Sequence, residues 1–96
     1  MLIGTLKITL HLQGLGSLKD KRKIVKSVIG RIKSRYNFAA AEVDAQDSKA
    51  IAVIGMSTVS NDSTYINQLL DKVLDFVRND GRFYLGSVDR EIFPSK

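Results

Sequence analysis

Between Leu2 and Gln13 apolar and polar residues alternate, with Leu2, Leu6, Ile8, Leu10 and Leu12 on one side and Thr5, Lys7, Thr9, His11 and Gln13 on the other. A period of two predicts a strand with one buried face. Past Gly14-Leu15-Gly16 the period changes. Leu18, Val25, Ile29, Ile32 and Tyr36 recur at helical spacing, widened by Ile24 and Val28, and predict one amphipathic helix over Ser17 to Tyr36. Ser17 can cap its first turn through the hydroxyl, and Asp20 three residues on can reach back to the Ser17 amide. Asn37 suits the left-handed conformation that ends a helix.

Phe38 to Ala45 reads as a second strand although alanine is a poor strand former, and Gln46, Asp47 and Ser48 are turn residues. Lys49 to Val59 is apolar on both faces, with Ile51, Val53 and Val59 on one and Ala52, Ile54 and Met56 on the other. Such a strand belongs at the centre of a sheet whose open face is partly covered, for instance by a second copy of the protein. Ser60, Asn61, Asp62 and Ser63 signal a helix start, and Tyr65, Ile66, Leu69, Leu70, Val73, Leu74 and Val77 give a second amphipathic stripe. Asn79-Asp80-Gly81 stops it, and Arg82 to Phe93 forms a last strand through Phe83, Leu85, Val88 and Ile92 before Pro94.

Strand, helix, strand, strand, helix, strand is the order of an α+β, ferredoxin-like βαββαβ two-layer sandwich, a four-stranded antiparallel sheet with two helices on one face. Right-handed crossovers place the first and last strands side by side and the third between the first and second. The expected core includes Leu6, Ile8, Leu10, Val25, Ile29, Ile32, Ile66, Leu70 and Val73. The turns at Gly14 to Ser17, Gln46 to Lys49 and Asp80 to Arg82 then share one end of the sheet. The 96 residues, 44% hydrophobic and 26% charged, make a single domain, 1–96, of ordinary soluble composition.

Cysteine is absent, which removes disulfides, thiolate metal sites and cysteine nucleophiles together. No run of 18 apolar residues exists, and the amino-terminal pattern is a strand rather than an export signal, so the expected location is the cytoplasm, with no membrane partner. The net charge of +5 is unevenly shared: residues 1–36 hold nine Lys or Arg against Asp20 alone, while residues 37–96 hold six against nine acids. Charge gathered on one element makes a directional field that can orient an acidic partner.

That element is the first helix. Lys19, Lys21, Arg22, Lys23, Lys26, Arg31, Lys33 and Arg35 face only Asp20. Like charges four apart, as in Arg22 and Lys26 or Arg31 and Arg35, cost about 0.2–0.5 kcal/mol per pair, and cations in a first turn oppose the helix dipole. An anionic ligand relieves both. A solvated face that serves solubility is the alternative. Opposite the apolar stripe, Lys23, Ser27, Gly30 and Ser34 form a strip of mostly small residues with Lys19, Lys26 and Lys33 beside it, and Gly30 either admits close approach or is a tolerated surface glycine.

Other chemistry is sparse. His11, the lone histidine, has no partner motif and reads as a surface residue. Serine has no accompanying base, so the chain is read as non-enzymatic, with no cofactor. Glu42, Asp44 and Asp47 read as a polar edge and turn rather than a cation site, so no metal is expected. Gly14-Leu15-Gly16-Ser17 precedes a helix but lacks both glycine-rich phosphate motifs, and it lacks the arginine of an acylphosphatase loop. Ser60-Asn61-Asp62 reads as a helix cap.

The opening strand ending His11-Leu12, the run Ser17-Leu18-Lys19-Asp20-Lys21-Arg22-Lys23, Ala41-Glu42-Val43 with Gln46-Asp47, and Val59-Ser60-Asn61-Asp62 together resemble the YlxP-like family of small bacterial domains of unknown function. The resemblance covers nearly the whole chain. It implies a ferredoxin-like fold, often dimeric, and a gene setting similar to that of translation and ribosome-maturation genes. After Gln46-Asp47 the family often carries an aromatic residue, usually tryptophan, and an arginine, where this chain has Lys49 and Ile51. The resemblance brings no catalytic residue with it.

The functional expectation is a non-enzymatic RNA- or ribosome-associated binding protein that contacts phosphates through the first helix. Arg22, Lys26 and Lys33 line one flank, Lys19, Lys21 and Lys23 lie near the amino-terminal end, and Gln46 and Arg82 are expected near that same end. The alternative is a dimeric structural or regulatory module, paired through its sheet and binding a small ligand or protein, with the basic helix only solvated.

Overall fold

The alternation of the opening segment becomes β1 (Leu2–Leu12), whose Leu6, Ile8, Leu10 and Leu12 are buried. The structure is a computed structural model describing residues 1–14 and 16–96; Leu15, in the expected turn before the first helix, lies outside the described residues. The chain continues through α1 (Leu18–Tyr36), β2 (Ala39–Asp44), β3 (Ile51–Ser60), α2 (Ser63–Arg78) and β4 (Phe83–Pro94). All strand pairs are antiparallel, in the order β2-β3-β1-β4. This is the ferredoxin-like arrangement, with β3 central as its two-sided apolar pattern requires.

The caps follow the local sequence. Ser17 is extended and its Oγ accepts from the Asp20 amide at 3.2 Å, which satisfies one of the free donors of the first turn. Asn37 closes α1 at φ 57° and ψ 50°, a left-handed conformation that asparagine tolerates. Of the Ser60 to Ser63 cluster, Asp62 is the cap of α2: its Oδ1 accepts from the amides of Thr64 at 2.9 Å and Tyr65 at 3.3 Å.

One apolar core fills the space between sheet and helices. Ala52, Ile54 and Met56 of β3 join the inward leucines and isoleucine of β1 beneath Val25, Val28 and Ile32 of α1 and Ile66, Leu70, Val73 and Val77 of α2. The helix α1 is turned slightly from the expected stripe: Val28 is fully buried and Ile29 only half-buried, packed against the edge of the core. Lys21 occupies an inward position as well, so that the buried row is Lys21, Val25, Val28 and Ile32.

Two strands carry an extra residue. In β4 the pairing passes from Ile8 with Val88 to Leu10 with Leu85, so Thr9 stands opposite both Gly86 and Ser87. This bulge lets Phe83 and Leu85, and then Val88 and Ile92, share the inward side despite a change of parity. In β2 the register shifts between Glu42 and Asp44, and Val43 leans over Gly55 of β3, where a Cβ would lie 2.9 Å from Val43 Cγ1.

The helices are offset along their axes. Tyr36, the last residue of α1, packs against Phe76 in the last turn of α2 with ring centroids 5.8 Å apart. The first turns of α1 lie instead against the β2–β3 hairpin, and the molecule is elongated, 44 × 24 × 22 Å.

Candidate nucleic-acid interface

Helical spacing sorts the cations of α1 by side. With 100° per residue and the row Val25, Val28 and Ile32 facing the core, Lys19, Arg22, Lys26 and Lys33 fall on one flank and Lys23 near the crest. All five are exposed, and none forms an ion pair among the described residues. From Lys19 to Lys33 the row runs about 21 Å along the axis. Fifteen residues thus carry a track of positive charge on a rigid element.

Lys21 does not belong to that track. Its side chain is 1% exposed and turns inward, where Nζ donates to Ala45 O at 2.6 Å, reaches Gln46 O at 3.5 Å and stands 3.1 Å from Glu42 Oε2. The contact with Glu42 is coulombic, for Oε2 takes no hydrogen bond and is itself buried. An ammonium so placed cannot reach a phosphate. It is a structural residue, a correction to the sequence expectation, and it needs a neighbour of opposite charge because a buried lone cation is prohibitively costly.

The Lys21 contacts shape the hairpin. Ala45 adopts φ 57°, a left-handed conformation disfavoured for an L-residue, and its carbonyl accepts from both Lys21 Nζ and the Ser48 amide. Gln46 is exposed beside the first turns of α1, as expected, tied there by its backbone.

Arg82 lies at the expected end of the sheet, next to the pair Leu12 and Phe83, but it does not join the Lys19 to Lys33 flank. Its Nε and Nη2 donate to the two carboxylate oxygens of Asp80 at 2.6 and 2.7 Å, and it lines a groove of about 740 Å³ between α1 and α2. The hydrogen bond from Arg82 holds the Asp80 carboxyl below its ordinary range against the opposing effect of burial, with the charges of Arg82 and Arg31 adding to the shift. Arg31, Arg35 and Lys72 also line this groove. None of the three was among the expected contact residues, although the four-residue spacings of Arg31 with Arg35 and Lys72 with Phe76 place each pair on one helix side.

Residues 3–90 match the family described as "Protein of unknown function (DUF503)". The chain belongs to that family. It is 31% identical over 62 residues to "Uncharacterized protein YlxP" of Bacillus subtilis (strain 168), a match covering 65% of this chain and 67% of that protein. The family assignment agrees with the YlxP-like resemblance carried by the strand and helix motifs. Among solved structures, "De novo designed protein Foldit4" is similar with a TM-score of 0.55 at 12% identity, over 99% of this chain and 98% of that one. That likeness is one of fold alone.

The open face of the sheet is mixed. Thr5, Lys7, Thr9 and His11 of β1 occupy its centre, with the exposed aromatics Tyr84 and Phe93 at opposite ends of the edge strand, beside His11 and Ile3. At about 3.3 Å per residue they stand almost 30 Å apart. His11 rests over Gly86, where a Cβ would collide with the imidazole. Asp44 Oδ1 accepts from the Ala45 amide, and no group of three or more His, Cys, Asp or Glu suited to a metal occurs among the described residues. Among the described residues no helix is long and apolar enough to cross a membrane.

Proposed function

We propose that this protein is a non-enzymatic, RNA-associated binding protein that contacts the phosphates of structured RNA, ribosomal RNA foremost, through the exposed flank of α1. The observation that carries the reading is the row Lys19, Arg22, Lys26 and Lys33, with Lys23 at the crest, exposed and free of ion pairs among the described residues. A rigid helix with unneutralised cations at regular spacing suits a phosphate backbone, whereas two separated edge aromatics do not make a stacking platform for single strands. Gln46, beside the first turns, adds a polar contact to the same end.

Phosphate contacts position a protein without reading sequence, so binding is led by RNA shape and falls steeply with salt. The test is a salt titration of binding to ribosomal RNA fragments, comparing wild type with Arg22→Glu and Lys26→Glu. Both variants should stay folded and bind more weakly, with a shallower salt dependence. Binding equal to wild type in both folded variants would remove the helix from the interface.

A second reading is a dimeric module joined through the sheet, binding a small ligand or protein. Exposed apolar residues on the open face favour it: Val43, Val59 and Phe93 are 49%, 57% and 38% exposed. Sedimentation equilibrium decides it, since a monomer at high concentration leaves that face unused for pairing.

A further inference from the structure

The groove between the second halves of α1 and α2 lies on the side of α1 away from the lysine row and has its own chemistry. Arg31 and Arg35 reach in from α1 and Lys72 from α2, and all three are exposed without a carboxylate partner among the described residues. Of the two acids at its rim, Asp80 is held by Arg82 through two short hydrogen bonds, while the exposed Asp75 has only Arg78 at 3.9 Å. The Asp80 pairing fixes the Arg82 fork and leaves its Nη1 available.

The wall of this groove is aromatic. Tyr36 and Phe76 are half-buried, tilted at 45° to each other, and Arg35 lies 5.4 and 5.9 Å from their ring centroids. Cation–π contact restrains Arg35 before any ligand arrives, lowering the cost of ordering it. Convergent cations beside half-buried aromatic rings match an anion joined to a flat ring. The volume of about 740 Å³ falls within the roughly 300–1,000 Å³ of small-molecule sites.

We infer that this groove binds a nucleotide phosphate, either free or as an unstacked nucleotide of RNA, with Arg31, Lys72 and Arg82 on the phosphate and the base against Tyr36, Phe76 and Arg35. For the RNA source the inference rests on the function proposed above. The free nucleotide does not depend on it.

Titration of the full chain with adenosine 5′-monophosphate, followed by amide NMR shifts, should move Arg31, Arg35, Phe76 and Asn79 saturably. Adenosine alone or inorganic phosphate alone should bind at least tenfold more weakly. Arg31→Ala combined with Lys72→Ala, both at exposed positions, should weaken the nucleotide at least tenfold, while Lys26→Glu on the opposite flank leaves it unchanged. With RNA, a hairpin bearing one bulged adenosine should bind tighter than a fully paired hairpin; the groove variant should abolish that preference, and Lys26→Glu should weaken both hairpins equally. Inorganic phosphate binding as tightly as the nucleotide would reduce the groove to a bare anion site and overturn the inference. So would the absence of any saturable shift together with the absence of a bulge preference. Nucleotide binding in the groove with neither hairpin bound supports the inference and removes the RNA reading.

Discussion

Lys21 Nζ stands 3.1 Å from Glu42 Oε2, in the middle of a basic run whose other members point to solvent. One lysine of the run therefore joins α1 to β2 and the hairpin, while its neighbours Arg22 and Lys23 stay exposed.

Lys21→Met should destabilise the protein by about 3 kcal/mol, since it strands Glu42 without its cation and removes the donor to Ala45 O. Replacing Glu42 by Leu in the same chain should recover part of the loss. Urea denaturation of the single and double variants measures both. RNA affinity of folded Lys21→Met should stay close to wild type, in contrast to Arg22→Glu.

Each charge reversal on the exposed flank should flatten the salt dependence of RNA binding. Under the proposed function Lys26→Glu removes at least one phosphate contact, so the slope of log affinity against log salt should fall by about 0.7–0.9 or more. Lys19→Glu and Lys33→Glu, farther along the row, should behave alike. A slope unchanged in all three excludes this flank from the contact.

Asp80 ties part of the stability to acid pH. Its folded pKa lies below the ordinary 3.8 because Arg82 hydrogen-bonds to the carboxylate. The contribution is thus fully present above the ordinary value and is lost as pH falls through the folded value. Arg82→Ala should lower stability at pH 6 and lower it much less at pH 2. Chemical denaturation of both proteins at the two pH values checks the convergence.

Ala45→Gly should stabilise the fold by about 0.5 kcal/mol. Left-handed backbone costs an L-residue roughly 1–2 kcal/mol, and glycine escapes this while giving back roughly 0.5–1 in unfolded-state entropy. A fall in the thermal midpoint would show that the methyl group packs to an advantage outweighing its strain.

Most of the fold is legible in the sequence because period and caps act locally. Ser17 and Asp62 start their helices through bonds made within three residues, Asn37 ends α1 by its own left-handed backbone, and the six-element order leaves few topologies open. Two features of the site are not local. The inward turn of Lys21 depends on Glu42 and two carbonyls more than 20 residues away, which no helical wheel contains. The groove exists because α1 and α2 are offset, so that Tyr36 meets Phe76 and Arg31 comes near Asp80. A pattern along one helix gives its faces but not its displacement against another, so Arg31 and Arg35 counted only as charges.

The two bulges act on encounters between sheets. Strands β2 and β4 are the free edges, where unpaired backbone groups invite a strand from another chain. At β4 an incoming strand would lose register at Gly86 and Ser87, meet Asp89, Arg90 and Glu91 beyond them, and run out at Pro94. At β2 it would find six residues interrupted near Val43. Fibrillar growth by strand addition is thereby discouraged at both borders, a safeguard wherever many copies of the chain meet.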